Sequence, residues 1–217
     1  MKYSPGTEKS PLPYSPFKSC TVPRPIGWLS SIGQNGVENL APYSQWQNLT
    51  FDPPMVMFSA NQYPDGRRKD TVTNAEETGW FVWNMATWEL RDAVNTSAMA
   101  LPEHESEFDR ANVRRTYADL CPVPMVADSP VHFECKYHST HRIVGNSTVG
   151  TIDIVYATVE RIHIDDHALT LDGKLDIPRI QPIARMGYYD YAVVKDTFEM
   201  RIPGATAAEA DGLEGAP

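Results

Sequence analysis

The chain has 217 residues, 41% of them hydrophobic and 22% charged, with a net charge of −9. That length can bury roughly 70% of the surface the unfolded chain exposes, and the acidic balance opposes binding to a nucleic-acid backbone. No apolar run approaches the ~20 residues of a membrane-crossing helix.

The first segment, "MKYSPGTEKSPLPYSP", is polar and proline-rich with no apolar signal core, so 1–20 reads as an extended arm. Cys20, Cys121 and Cys135 form no C-x-x-C pair. Free thiols in a reducing compartment fit best, and the expected location is cytoplasmic. "PIGWLSSI" then reads as a strand, and the Asn35-Gly36 pair after it as a hairpin turn, because both residues tolerate positive φ. "MVMFSA" and "WFVWNM" are short buried strands. A helix is expected over 71–78, with Asp70 as its N-cap and Gly79 as its stop, and a second over 88–98, capped by Thr87. "VHFECKYHSTHRI" and "GTIDIVYATVERIHI" are long alternating strands. Such segments favour a curved antiparallel sheet or barrel, and a parallel βαβ sheet is excluded because strands and helices do not alternate. Asp165, Asp166 and His167 read as a turn. Residues 21–202 are expected as a single domain, and 203–217, small and acidic, as a mobile tail.

Two stretches bear on chemistry. "GRRKDTVTNAEETGWF" gathers Arg67, Arg68 and Lys69 at the start of the expected helix, where unpaired amides and the helix dipole favour an anion. A solvated, capped surface helix explains the same residues. "NLAPYSQWQNLTFDPPMVMFSA" sets Tyr43, Trp46 and Phe51 among amides and hydroxyls in a proline-bounded loop. That composition suits a flat heteroaromatic ligand, or equally a core junction. His132, Cys135, His138 and His141 fall every third residue, but on a strand they divide between two faces, so no metal site is expected. No dinucleotide fingerprint, P-loop or nucleophile elbow is present.

Four motifs stand in order: Arg24 to Ser30 ("RPIGWLS"), Asn39 to Ser44 ("NLAPYS"), Pro53 to Val56 ("PPMV") and Lys69 to Asn74 ("KDTVTN"). With "QPIARMGYYDY" near the C-terminus, they make residues 20–192 resemble the flavin reductase-like family of FMN-binding split β-barrel proteins. The resemblance implies a mainly β (α+β) fold: an antiparallel, Greek-key-like split barrel with a few flanking helices. It further implies that Lys69, Asp70 and Thr71 surround the FMN phosphate, that Ser44, Gln45, Trp46 and Asn48 line the ring or ribityl chain, and that Ser59 closes the strand edge beneath. The resemblance also implies Arg185, the arginine of the C-terminal motif, as a second cofactor contact, while Arg67 and Arg68 are expected as solvated charges. The implied activity is that of an NAD(P)H:flavin reductase passing hydride from NADH or NADPH to flavin N5, with no essential side-chain acid or base. A non-catalytic FMN carrier or sensor, and a reductase of another acceptor such as a quinone, share the same motifs. The partners expected are a small-molecule substrate and a second copy in a homodimer, with no nucleic acid or membrane.

Overall fold

The computed structural model describes residues 1–204 and 206, so most of the expected 203–217 tail lies outside the described residues. The first part of the chain forms β1 (Arg24–Pro25), β2 (Gly27–Ile32), β3 (Glu38–Tyr43), β4 (Trp46–Phe51), β5 (Pro54–Asn61), α1 (Asp70–Thr78) and β6 (Trp80–Asn84). Next come α2 (Arg91–Thr96), α3 (Glu107–Arg110), β7 (Arg115–Tyr117) and β8 (Pro124–Val126). The last part holds the long strands β9 (Val131–Ile143) and β10 (Ile152–Ile164), then α4 (Ile177–Ile180), β11 (Ile183–Gly187) and β12 (Asp190–Val193).

Seven strands form one sheet in the order β3-β2-β6-β9-β10-β5-β4, and every ladder in it is antiparallel. The sheet closes on itself. Gly27 on β2 lies so near β4 that an added Cβ would sit 2.9 Å from Trp46 Cβ, although four strands separate β2 from β4 in the order. Across the same seam Tyr43 packs on Phe58 (ring centroids 5.1 Å apart) and Trp46 stacks on Trp83 (5.7 Å, 5° between planes). The enclosed core includes Leu29, Phe58, Val72, Phe81 and Val155. A second apolar layer with Trp28, Leu40, Phe108 and Val126 covers the other face of β2. β2 is therefore buried on both sides, and its near-continuous apolar run suits that position.

Three local expectations are corrected. Lys69, not Asp70, is the N-cap of α1: its extended backbone (φ −69°, ψ 139°) precedes Asp70, which is already helical, and no side chain supplies a cap bond. The stop is as read, with Gly79 left-handed at φ 81°. The second helix spans only Arg91–Thr96, because Thr87 bridges Pro182 and the Trp88 N–H donates to the Gln181 carbonyl (2.9 Å), tying 87–88 to the β11 approach. In the β2–β3 hairpin only Gly36, not Asn35, takes positive φ (79°).

Outside the barrel sheet, β1, β11 and β12 make a small sheet with Arg24 opposite Arg185. Residues Phe17–Ser19 form a 3₁₀ turn against it, and Gly187 (φ 89°) is what allows this approach: a Cβ there would lie 2.1 Å from Ser19 Oγ.

Candidate functional site

The chain turns sharply at Ser44-Gln45 between β3 and β4, and β5 fixes that corner from below. Ser59 N–H donates to the Gln45 carbonyl at 2.9 Å. Trp46, the next residue, is buried, and its stacking on Trp83 commits the indole to the barrel wall; Trp83 Nε1 in turn donates to the Ile26 carbonyl at 2.9 Å. Ser44, Gln45 and Ser59 stay partly exposed at the corner. Asn48 is exposed further along β4, where its Oδ1 accepts from Gln47 Nε2 at 2.7 Å.

The start of α1 approaches the same corner from behind. Thr71 is fully buried, and its Oγ1 accepts from both Asn39 Nδ2 and Tyr43 Oη at 2.9 Å. The threonine hydroxyl thus faces the barrel wall instead of the open mouth of the helix, and it welds α1 to the strand that ends at Ser44. Burial raises the Tyr43 phenol far above its ordinary pKa, so it stays neutral and keeps its proton. The first internal amide bonds of α1 are those of Val72 (2.9 Å) and Thr73 (3.2 Å) to the Lys69 carbonyl, which leaves the amides of Asp70 and Thr71 ahead of them at the positive end of the helix.

The three basic residues before α1 divide sharply. Arg67 pairs with Asp65 (2.9 Å) and Glu103 (3.7 Å) on the surface. Arg68 was expected as a solvated charge, but it is a structural clamp. It grips both oxygens of Glu76 at 2.6 Å and reaches the buried Asp153 at 3.0 Å, binding α1 to β10. Its pKa is raised, chiefly by the Glu76 bonds. Lys69 has no carboxylate within ion-pair distance among the described residues; its Nζ lies 3.4 Å from the centre of the Tyr63 ring. Burial pushes the Lys69 amine down, and neighbouring Asp70 pulls it back up. Burial, then Glu103, pushes the Asp70 carboxyl up. A cavity of about 590 Å³ along the outer face of α1 is lined by Asp70, Glu77, Glu103, Glu105 and Glu107 besides Arg67 and Arg68. Its charge is unsuited to phosphate, and the Lys69 side of the helix is the one fit for an anion.

Arg185 lies elsewhere. With Ser44 it lines a separate cavity of about 260 Å³, walled also by Lys18, Arg24, Tyr43, Tyr188 and Tyr191. Of the residues named from sequence, then, Ser44 and Arg185 share one cavity, Gln45 and Ser59 share a backbone bond, and Thr71 joins α1 to the corner through Tyr43. Lys18 and Arg24 were missed as site residues, although Arg24 opens the first motif and only strand pairing brings it beside Arg185.

On β9, His132 and Cys135 are buried on opposite faces and His138 and His141 are exposed, so these four do not converge. Asp119, Glu134 and His163 do converge, their ligand atoms lying within 4.8 Å of one another. Glu134, fully buried, accepts from the Asp119 amide (3.0 Å), the Leu120 amide (2.8 Å) and His163 Nε2 (2.7 Å), while Arg161 holds Asp119 at 2.6 Å. This cluster is a satisfied polar pin that fastens the β7–β8 hairpin to the barrel.

The family model described as the flavin reductase like domain matches residues 19–181. The chain belongs to the flavin reductase-like family. An uncharacterised protein of Halalkalibacterium halodurans is 30% identical over 203 residues, covering 94% of this chain and 97% of that one. The structure of nitrilotriacetate monooxygenase component B from Bacillus cereus is 28% identical, covers 92% of this chain and 98% of its own, and superposes with a TM-score of 0.84. A flavin reductase-like split barrel from Shewanella frigidimarina is 20% identical at a TM-score of 0.74, covering 87% of this chain and 90% of that one, and shows the shared fold. The flavin reductase-like chain is thus a mainly antiparallel split barrel, as its motifs implied.

Proposed function

We propose that this flavin reductase-like chain is an FMN-dependent oxidoreductase drawing hydride from NADH or NADPH. The observation that carries the proposal is the brace between the Ser44 corner and α1, in which Tyr43 and Asn39 both bond Thr71. It holds at fixed spacing the two segments that this reading makes cofactor-binding. Lys69, without a carboxylate partner among the described residues, and the leading amides of α1 are the phosphate-binding groups. Thr71 acts in this reading through its backbone and its brace, and Asp70 offsets part of the local positive charge. Ser44, Gln45, Asn48 and Ser59 offer hydroxyl and amide groups to a flavin edge, over a wall stiffened by Trp46 and Trp83. Bound FMN would supply the redox chemistry, accepting hydride at N5 and releasing electrons to a second acceptor. The protein's own part is to bind, orient and shield, and no side-chain acid or base is assigned.

Kinship to a monooxygenase component at 28% identity supports an oxidoreductase over a passive carrier. The proposal also includes a homodimer. β4 meets the seam at Trp46 and is exposed from Gln47 to Phe51, with Leu49 and Phe51 at 48% and 65% exposure, and an apolar edge left open past the seam calls for a partner strand or face. The test is an anaerobic titration of the FMN-loaded protein with NADH and with NADPH. Bleaching of the flavin absorption with one donor, faster than for free FMN, is expected. No bleaching with either removes the reductase reading, and a monomer by light scattering removes the dimer.

A further inference from the structure

The cavity that Arg185 shares with Ser44 gathers three cations and does not include Lys69. Lys18, Arg24 and Arg185 converge on it in a protein of net charge −9, and none has a carboxylate within ion-pair distance among the described residues. Arg24 and Arg185 face each other across the β1–β11 ladder, a pairing of like charges that destabilises a sheet unless an anion lies between them. Their bonds go to main-chain carbonyls: Arg24 Nη1 donates to Lys18 and Thr21, and Arg185 Nη2 to Tyr188. Those bonds orient the guanidinium planes and neutralise nothing. Arg24 Nε and the nearby Ser19 Oγ are buried with no hydrogen-bond partner among the described residues. Burial, then Arg185, depresses the Arg24 pKa, the direction expected where a counter-charge is lacking.

The cavity's size sets what it can take. At about 260 Å³ it lies below the ~300–1,000 Å³ of a pocket that encloses a whole ligand. It therefore suits one phosphate-bearing portion of a larger molecule whose remainder extends past Ser44 or over the exposed Tyr188 and Tyr191. Tyr191 already lies against a cation, its ring centre 4.7 Å from the Arg185 guanidinium carbon. Tyr188 is held in the left-handed region (φ 46°), a conformation that costs a bulky residue energy and is kept where its surroundings require it. Two guanidinium forks and an ammonium exceed what a single flavin phosphate needs in addition to Lys69 and α1, and match a diphosphate. Lys18 and Arg185 also fall outside the 19–181 span shared with the family model, so much of this charge is contributed by parts of the chain that the model does not reach.

We propose that the Lys18–Arg24–Arg185 cavity is the subsite for the phosphates of the dinucleotide electron donor, distinct from the site of the flavin phosphate. The assignment rests on the oxidoreductase reading above. It places the donor's phosphates beside Ser44, at the edge of the flavin corner, and explains how a chain without a dinucleotide fingerprint would hold such a donor.

The experiment compares the FMN-loaded wild type with Lys18→Gln/Arg185→Gln, and with Lys18→Gln alone, which alters an exposed residue and leaves folding intact. Three quantities are read: KM for NADH or NADPH against KM for N-benzyl-dihydronicotinamide, which has no phosphate; the FMN Kd from fluorescence quenching; and calorimetric binding of inorganic pyrophosphate to the FMN-loaded protein, whose α1 phosphate site is filled, or to Lys69→Ala protein where no FMN binds. The double variant should raise the dinucleotide KM at least tenfold and the single variant about threefold. The KM for the phosphate-free donor and the FMN Kd should stay within twofold, and pyrophosphate binding should be lost. A rise in FMN Kd would assign the cavity to the flavin phosphate and overturn the proposal, as would an unchanged dinucleotide KM. Should the wild type bind no FMN, the oxidoreductase reading fails by itself; the pyrophosphate measurement still decides this site, and absence of binding there overturns it.

Discussion

Replacing Lys69 by alanine isolates the charge that the proposed flavin site depends on. Its ammonium is half-buried over Tyr63, lacks a carboxylate partner among the described residues, and stands at the positive end of α1. A charge-assisted hydrogen bond in such a setting contributes about 1.5–3 kcal/mol, and with tenfold per 1.4 kcal/mol that weakens FMN binding roughly 10- to 150-fold. Arg67 and Arg68 cannot compensate, since both are occupied by carboxylates. The assay is quenching of flavin fluorescence on titration with apo-protein, run in parallel with riboflavin, which shares the ring and ribityl chain and lacks the phosphate. Lys69→Ala should weaken FMN and leave riboflavin nearly unchanged, and added salt should narrow the gap. An equal loss for both ligands, or a change in FMN affinity below about threefold, would show that the phosphate does not dock at α1.

Thr71→Val keeps the side-chain shape but removes the acceptor of Tyr43 Oη and leaves Asn39 Nδ2 its weaker bond to Ser31 Oγ (3.3 Å); a loss of about 2 kcal/mol and of about 4–8 °C in Tm is expected by calorimetry. Glu134→Ala strips the acceptor from two amides and His163, and should cost about 3–5 kcal/mol, read as an earlier urea midpoint, with Glu134→Gln recovering part of it. Gly187→Ala forces a Cβ to within 2.1 Å of Ser19 Oγ at φ 89°, so limited proteolysis should cut residues 1–23 faster while the barrel remains intact. Arg68, through its hydrogen bonds, holds the Glu76 carboxyl below 4.5, so the stability this group supplies is complete above that pH and is lost as pH falls through its lower folded value. Urea midpoints measured downward from pH 4.5 should decline less steeply in Glu76→Gln. Burial shifts Asp70 and Glu107 the opposite way, so the comparison must be variant against wild type at each pH.

Much of the fold was written in local pattern. Both bounds of β9 and the stop of α1 at Gly79 were legible, because strand alternation and a left-handed glycine are properties of neighbouring residues. The order of the motifs along the chain likewise named the family before any contact was known. The second helix was overread because its first residues are drawn into a bridge to Pro182, far along the chain. Arg68 was overread as a free charge because Asp153 lies 85 residues away. Which cations would be neutralised and which left bare was mostly a matter of tertiary structure: Arg67 finds Asp65 two residues away, but Arg68 meets Asp153 on β10, Lys69 meets a tyrosine face, and Arg24 meets Arg185 only because β1 and β11 pair. Local sequence decides how a segment bends and which face it buries. The balance of charge at a site is a sum over elements that only folding brings together.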